Sequence, residues 1–187
     1  MAMNEFVCMH DKSEIETFLR KNVDLHLYEL GDLDEFFWPK TIWYGRKEEG
    51  VLEAMCLMYV GQSQPTLLAL GETRPLTELI KSISHLLPSW FYSHLSPGVE
   101  AGFMEKFRIE SGGKHLKMIL KKPENLGTGE EAKVSRLGPE HLVEVLQLYK
   151  ESYPGNWFDP RMLETGEYFG VRENARLVSI AGIHVYS

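Results

Sequence analysis

The sequence predicts a mixed α+β protein, a mixed sheet with helices between its strands, followed by the opening half of a second arrangement of the same kind. Three observations carry this expectation. Apolar residues recur at helical spacing over 11–37 and 73–87. Runs rich in aromatic and aliphatic residues fill 41–46, 51–60, 66–70 and 90–95. The same helix-then-strand grammar restarts after a stretch of glycine, proline and charge at 121–131.

Residues 11–21 form the first expected helix, capped by Asp11 or Ser13, with Ile15, Phe18 and Leu19 at i, i+3 and i+4. A second helical region spans 23–37. Leu25, Tyr28, Leu33, Phe36 and Phe37 are its expected apolar face, Gly31 a break, and Pro39 its end. Residues 41–46 and 51–60 are strands around a charged turn at 47–50. After a loop at 61–65, the apolar run 66–70 suits a strand buried on both faces. Thr73 and Pro75 open the next helix, Thr73 as cap and Pro75 in the first turn. Leu76, Leu79, Ile80, Ile83, Leu86 and Leu87 form its buried stripe, and Pro88 stops it. Residues 90–95 read as a strand and 97–106 as a short helix. Residues 107–110 and 115–120 read as a hairpin across Ser111, Gly112, Gly113 and Lys114.

The stretch 121–131 carries Pro123, Gly127 and Gly129 and few apolar residues, which marks a linker. The expected organisation is therefore a domain at 1–122, a linker at 123–131 and a second domain at 132–187. In the latter, 132–137 is a strand and 139–153 a helix with Leu142, Val145, Leu146 and Tyr149 on one face. Asp159 and Pro160 open a second helix through Met162 and Leu163, and 168–172 and 176–185 are strands.

Composition excludes several classes. Twenty Lys and Arg against 27 Asp and Glu leave a net charge of −7, without a basic stripe for nucleic acid or an anionic membrane. No run of about 18 apolar residues is long enough to span a bilayer. The first ten residues lack the basic start of a signal peptide. Two cysteines, Cys8 and Cys56, make neither a disulfide framework nor a zinc cage, and the seven histidines show no ligand spacing, so no metal is expected. A reducing, cytoplasmic compartment is the expectation. Gly127-Thr128-Gly129 lacks a preceding strand and reads as linker rather than phosphate loop. Gly61 to Pro65 lacks the second glycine of a nucleophile elbow.

The strand pairs of the two domains match without gaps at an offset of 125, so that 44–60 faces 169–185. Gly45 meets Gly170, Glu48 meets Glu173, Leu52 meets Leu177 and Val60 meets Val185, while Lys47 meets Arg172. Two unrelated hairpins of similar patterning would give the same signal. The matching order, two helices before each hairpin, favours an internal repeat. On that reading the second copy stops before its central strand, and its last strand leaves an open edge for a second subunit or a longer chain to cover.

This order of elements, with the runs SYPGNWFDPRML at 152–163, YFGVR at 168–172 and SIAGIHVYS at 179–187, resembles the GNAT superfamily of acyl-CoA-dependent N-acetyltransferases. In tandem members of that superfamily the N-terminal copy is typically degenerate and the C-terminal copy catalyses. The resemblance implies a GNAT-like first domain, the N-terminal half of a second, acetyl-CoA as cosubstrate and a small-molecule or peptide amine as acceptor. The family's pyrophosphate motif, Arg/Gln-x-x-Gly-x-Gly/Ala, has no counterpart here. Its place in the first copy, Gly71 to Glu78, lacks paired glycines, loses one N–H at Pro75 and carries Glu72 and Glu78 against phosphate. No cofactor-binding residues are therefore assigned.

By the same resemblance, Tyr149, Tyr153, Trp157 and Phe158 shape the acceptor pocket, with core packing as the competing role for each. His184 on the last strand is a candidate proton acceptor, with a structural hydrogen bond as its competing role. Glu164, Glu167 and Glu173 are alternatives for a charged contact to an amine, with plain solvation as theirs. Two functions follow: an acetyltransferase whose catalytic part lies beyond these residues, or a non-catalytic binding or assembly module that dimerises through its C-terminal strand.

Overall fold

The structure is a computed structural model that describes residues 4–125 and 134–183. The protein is mixed α+β, with a five-stranded mixed sheet and a three-stranded sheet. The chain divides into two compact units, Met1–Ile119 and Leu120–Tyr186.

The first unit runs β1 (Asn4–Met9), α1 (Lys12–Leu19), α2 (Val23–Gly31), β2 (Thr41–Glu48), β3 (Val51–Tyr59), β4 (Thr66–Ala69), α3 (Thr73–Ile83) and β5 (Tyr92–Leu95). Its sheet has the order β1-β2-β3-β4-β5. Pairing is antiparallel as far as β4 and parallel between β4 and β5, with α3 as the crossover. Each face carries its own core. Ile15, Leu19 and Leu30 from α1 and α2 pack on Met9, Trp43, Leu52, Met55 and Leu57. Leu76, Leu79, Ile80 and Ile83 from α3 pack on Tyr44, Cys56, Met58, Leu67 and Ala69.

The second unit runs β6 (Val134–Leu137), α4 (Leu142–Ser152), β7 (Tyr168–Glu173) and β8 (Arg176–Gly182), an antiparallel sheet of order β6-β7-β8. Leu137, Val145, Met162, Leu163, Tyr168 and Leu177 form its core. A 3-10 turn at Pro160–Thr165, capped by Asp159, stands where the sequence suggested a second helix.

The hairpins β2-β3 and β7-β8 agree residue for residue at the offset of 125. Trp43 pairs with Leu57 as Tyr168 pairs with Gly182, and Glu48 pairs with Val51 as Glu173 pairs with Arg176. Both have a bulge, between Arg46 and Lys47 and between Val171 and Arg172, which leaves Glu53 and Val178 without partners in the ladder. Both turn through two residues of positive φ, Glu49 (51°) and Gly50 (79°) against Asn174 (49°) and Ala175 (65°). Two such residues suit the twist of a two-residue hairpin turn. Both also pin a helix to the strand opposite the bulge, Lys47 to Glu14 of α1 at 2.6 Å and Arg172 to Glu144 of α4 at 3.1 Å.

Four further expectations change. First, β1 is a strand along the edge of the sheet, where the sequence reading had placed no element. Second, residues 107–110 and 115–120 form no ladder; a two-stranded hairpin is marginal without a sheet to lie on. Third, α2 ends at Gly31 and buries His26, Glu29, Leu30 and Gly31, while Leu27 and Tyr28 are exposed. Its apolar positions do not mark its buried face, because the polar pair His26 and Glu29 fills that side. Fourth, α3 is capped at Glu72, and the Thr73 hydroxyl donates instead to the carbonyl of Pro97 at 2.9 Å.

Ala175 holds a left-handed conformation that glycine takes without steric cost, as Gly50 does in the first unit. Ala175→Gly is expected to stabilise the second unit by about 0.5–1 kcal/mol, read as a later urea midpoint at unchanged slope.

Candidate functional site

Three places carry chemistry. The first is the turn from β4 into α3, where a helix N-terminus would offer N–H groups to an anion. Part of it is engaged. The Gly71 N–H donates to the Ser96 hydroxyl at 2.9 Å, and the Leu76 N–H donates to the Glu72 carbonyl at 3.3 Å. Pro75 has no N–H. The loop after β5 lies on this turn so closely that a Cβ at Gly98 would meet Thr73 Cγ2 at 2.8 Å. Arg74 is turned to Glu78 of its own helix at 3.2 Å. Glu72 and Glu78 add negative charge beside this turn, which opposes phosphate.

The second place is a polar cluster under α2. The helix kinks at His26 (φ −104°, ψ 21°), and the rings and carboxylates on its inner face gather beside a narrow gap lined by Leu19, Trp43, Met55, Leu57 and Leu68. His26 Nδ1 and Glu29 Oε1 lie 3.2 Å apart, both buried, and Glu29 Oε2 has no hydrogen-bond partner. Next to them, burial first and the Glu29 charge second push the Asp32 carboxyl from its ordinary 3.8 up to about 7. His94 on β5 sits below its ordinary value because of burial, then the nearby His115 and Lys117. Burial likewise lowers the Lys117 ammonium, against the attraction of Glu29. A carboxyl titrating near neutrality beside a buried carboxylate that is itself paired with an imidazole is a composition that acid–base chemistry uses.

The third place is the aromatic group of the second unit. Tyr149 on α4 meets Phe158 at 5.2 Å between centroids, and Phe158 meets Tyr168 edge-on at 5.8 Å. Tyr168 donates its hydroxyl to Met162 Sδ at 3.2 Å. Burial, then Tyr149, pushes the Tyr168 phenol up to about 12. Trp157 is half-buried against the same core, and Tyr153 is 61 % exposed. The structure thus gathers Tyr149, Trp157 and Phe158 on one core and leaves Tyr153 outside it. Glu164 and Glu173 are exposed, and Glu167 lies 3.9 Å from Arg136. His184 lies outside the described residues.

Sequence reading did not find the α2 cluster. Its only signal was His26 and Glu29 three apart on one helix, a spacing that surface pairs share. Among the described residues no group of three or more His, Cys, Asp or Glu is placed to hold a metal ion, and no helix is long and apolar enough to cross a membrane. Comparisons of the chain with protein-family models, with curated proteins and with solved structures find no match.

An acid whose folded value exceeds its unfolded one weakens the fold as pH rises between the two, here from about 4 to about 7, and the penalty then stays constant. Asp32→Asn removes that penalty. It is expected to match the parent near pH 4 and to exceed it above about pH 7 by on the order of 1–3 kcal/mol, measured by urea unfolding at each pH.

Proposed function

We propose that this chain belongs to an N-acyltransferase of the GNAT type that moves an acetyl group from acetyl-CoA to an amine. The supporting observation is the order of the first unit. Two helices lie between β1 and β2, the sheet is antiparallel through β4, and a helix then crosses to the parallel β5. The matching register and turn of the second hairpin support reading the second unit as another copy of the same beginning. In such a reaction the amine lone pair adds to the thioester carbonyl, the C–S bond breaks, the CoA thiolate leaves, and a base takes the ammonium proton.

Pro75 and the carboxylates of Glu72 and Glu78 at the turn before α3 support a non-catalytic role for the first unit within that protein. On this reading catalysis belongs to the second copy. Tyr153, exposed on the loop after α4, is the aromatic best placed to meet an acceptor, because Tyr149 and Phe158 are committed to the core. The test pairs calorimetric titration of this chain with acetyl-CoA and transfer of labelled acetyl to a panel of primary amines. Transfer is measured for this chain and for the product of its full reading frame. The expected result is no saturable heat from the chain and transfer by the longer product alone. Saturable binding to the chain removes the non-catalytic assignment, and no transfer to any amine by the longer product removes the transferase reading.

A second reading, assembly through β8, is favoured by the place of β8 at the rim of its sheet, paired only to β7 among the described residues. It predicts a dimeric mass by light scattering at high concentration. A monomer there counts against it.

A further inference from the structure

The correspondence of the two hairpins extends to the sheet face that each of them builds. In the first unit Tyr44, Ala54, Cys56 and Met58 share one face and are buried beneath the stripe of α3, Leu76, Leu79, Ile80 and Ile83. At the offset of 125 those four positions are Phe169, Ser179, Ala181 and Ile183. The register holds them on one face with their neighbours: Phe169 pairs with Arg136 and Ala181, and Val171 pairs with Val134 and Ser179. α4 packs on the other side, over Leu137, Tyr168 and Leu177, and the described residues of the second unit form a core on that side only. Val134, Ser179 and Ala181 are exposed, and Phe169, Val171 and Ile183 are half-buried. The edge repeats the pattern. Leu57 of β3 pairs with Leu68 of β4, whereas Gly182 of β8, at the matching place, has no ladder partner on that side among the described residues.

We propose that this face of the second sheet is a docking surface for an amphipathic helix of the α3 kind, led in by a strand that pairs antiparallel with β8. The inference rests on the repeat of the two units and not on the transferase reading, and it is read by binding rather than by transfer. A sheet with one apolar face uncovered gains by burying it, and the first unit shows which element fits: a helix with aliphatic residues at i, i+3, i+4 and i+7. The differences between the units refine the occupant. α3 sets Glu78 2.9 Å from the buried Arg46, but the position that matches Arg46 is Val171. A carboxylate placed there would be buried without a partner, so the occupant is apolar where α3 has Glu78. At the rim, Arg136 lies over the Phe169 ring, 5.6 Å from its centroid, with its side chain 65 % exposed and Glu167 no nearer than 3.9 Å. Its charge complements an acidic flank on the occupant.

The test titrates the full chain with a synthetic peptide of residues 64–87, the β4–α3 segment of the first unit, and follows methyl NMR signals. Val134, Val171 and Ala181 report the face, and Leu57 and Leu79 report the first unit. The expected result is a saturable shift of the first three signals with the last two unchanged. Binding should tighten severalfold when the peptide carries Glu78→Leu, because that side chain then meets Val171 without a buried charge. The chain variant Ala181→Asp, a charge at an exposed position, should weaken binding severalfold while the Leu177 methyl signals of the α4 core stay in place. Three outcomes overturn the proposal: no saturable shift with either peptide, equal shifts with a peptide in which Leu76, Leu79 and Ile80 are replaced by serine, or shifts of the same methyls with the concentration of the chain alone, which would put a second copy on the face.

Discussion

A leucine that fills the space left open by a glycine sets the geometry of both units. At Gly45 a Cβ would stand 2.9 Å from Leu52 Cδ1 and 2.9 Å from Met9 Sδ. At Gly170 it would stand 2.6 Å from Leu177 Cδ1 and 3.0 Å from Leu137 Cδ1. In each case a side chain from the next strand and one from the end of the preceding strand close over bare backbone. The bulge follows from the same demand. Leu52 and Met55 are three apart, yet both pack on the α1–α2 side, because the unpaired Glu53 between them shifts the alternation by one. Leu177 and Ile180 do the same around Val178. Glycine, bulge and leucine act together: the glycine allows the close approach, and the bulge aims the leucine into it.

The helix that lies on this corner is positioned by charge as well as by packing. Lys47 and Arg172 follow the bulge and reach Glu14 and Glu144, each on the first helix of its unit. Partly exposed pairs of this kind contribute on the order of 0.5 kcal/mol, far less than the burial of Ile15 and Leu19 or of Val145 beneath them. Their effect is on orientation. On the other face of β2, Arg46 is nearly fully buried and is held by Glu53 at 2.5 Å, by Glu48 at 3.1 Å and by Asn4 at 3.1 Å. Glu53, left without a ladder partner by the bulge, is thus one of the residues that meet the buried guanidinium. The second unit has Val171 and Val178 at these two positions and needs no such network.

These relations explain what could be read from the sequence. The identities at Gly45 and Gly170 and at Leu52 and Leu177 were visible at the offset of 125, and they are the residues whose contact defines the corner. The stripe of α3 was legible because Leu76, Leu79, Ile80 and Ile83 serve a wholly apolar core. Where a face carries polar groups the period failed. In α2 the apolar Leu27 and Tyr28 point out while His26 and Glu29 point in, since a buried ion-pairing group leaves no hydrophobic signature. Alternation also failed across the bulge, where a period of two breaks by construction. The hairpin expected at 107–120 failed for a different reason. Its residues have strand character, but strand character alone does not supply a neighbour to pair with. Of the turn at Gly71 to Glu78, Pro75 and the two glutamates are legible in the sequence, whereas the contacts of Ser96, Pro97 and Gly98 with it depend on tertiary structure.

The distribution of buried charge decides where the first unit is weak. Its sheet buries charge on both faces: Arg46 on the α3 side is met by carboxylates, whereas under α2 Glu29 is buried with an oxygen unsatisfied and Asp32 titrates near 7 beside it. A buried acceptor without a partner costs about 1–3 kcal/mol, and a second acid beside it adds repulsion whenever both ionise. A helix of nine residues with a kink inside it has little propensity of its own to offset this. The opening motions of lowest energy in this unit therefore fall on α2 and on whatever rests against it, while β2, β3 and α3 open only with the whole core. Polar chemistry and local mobility are then one property of one region: the same buried carboxylates that shift the titration of their neighbours also make the helix carrying them the first to move.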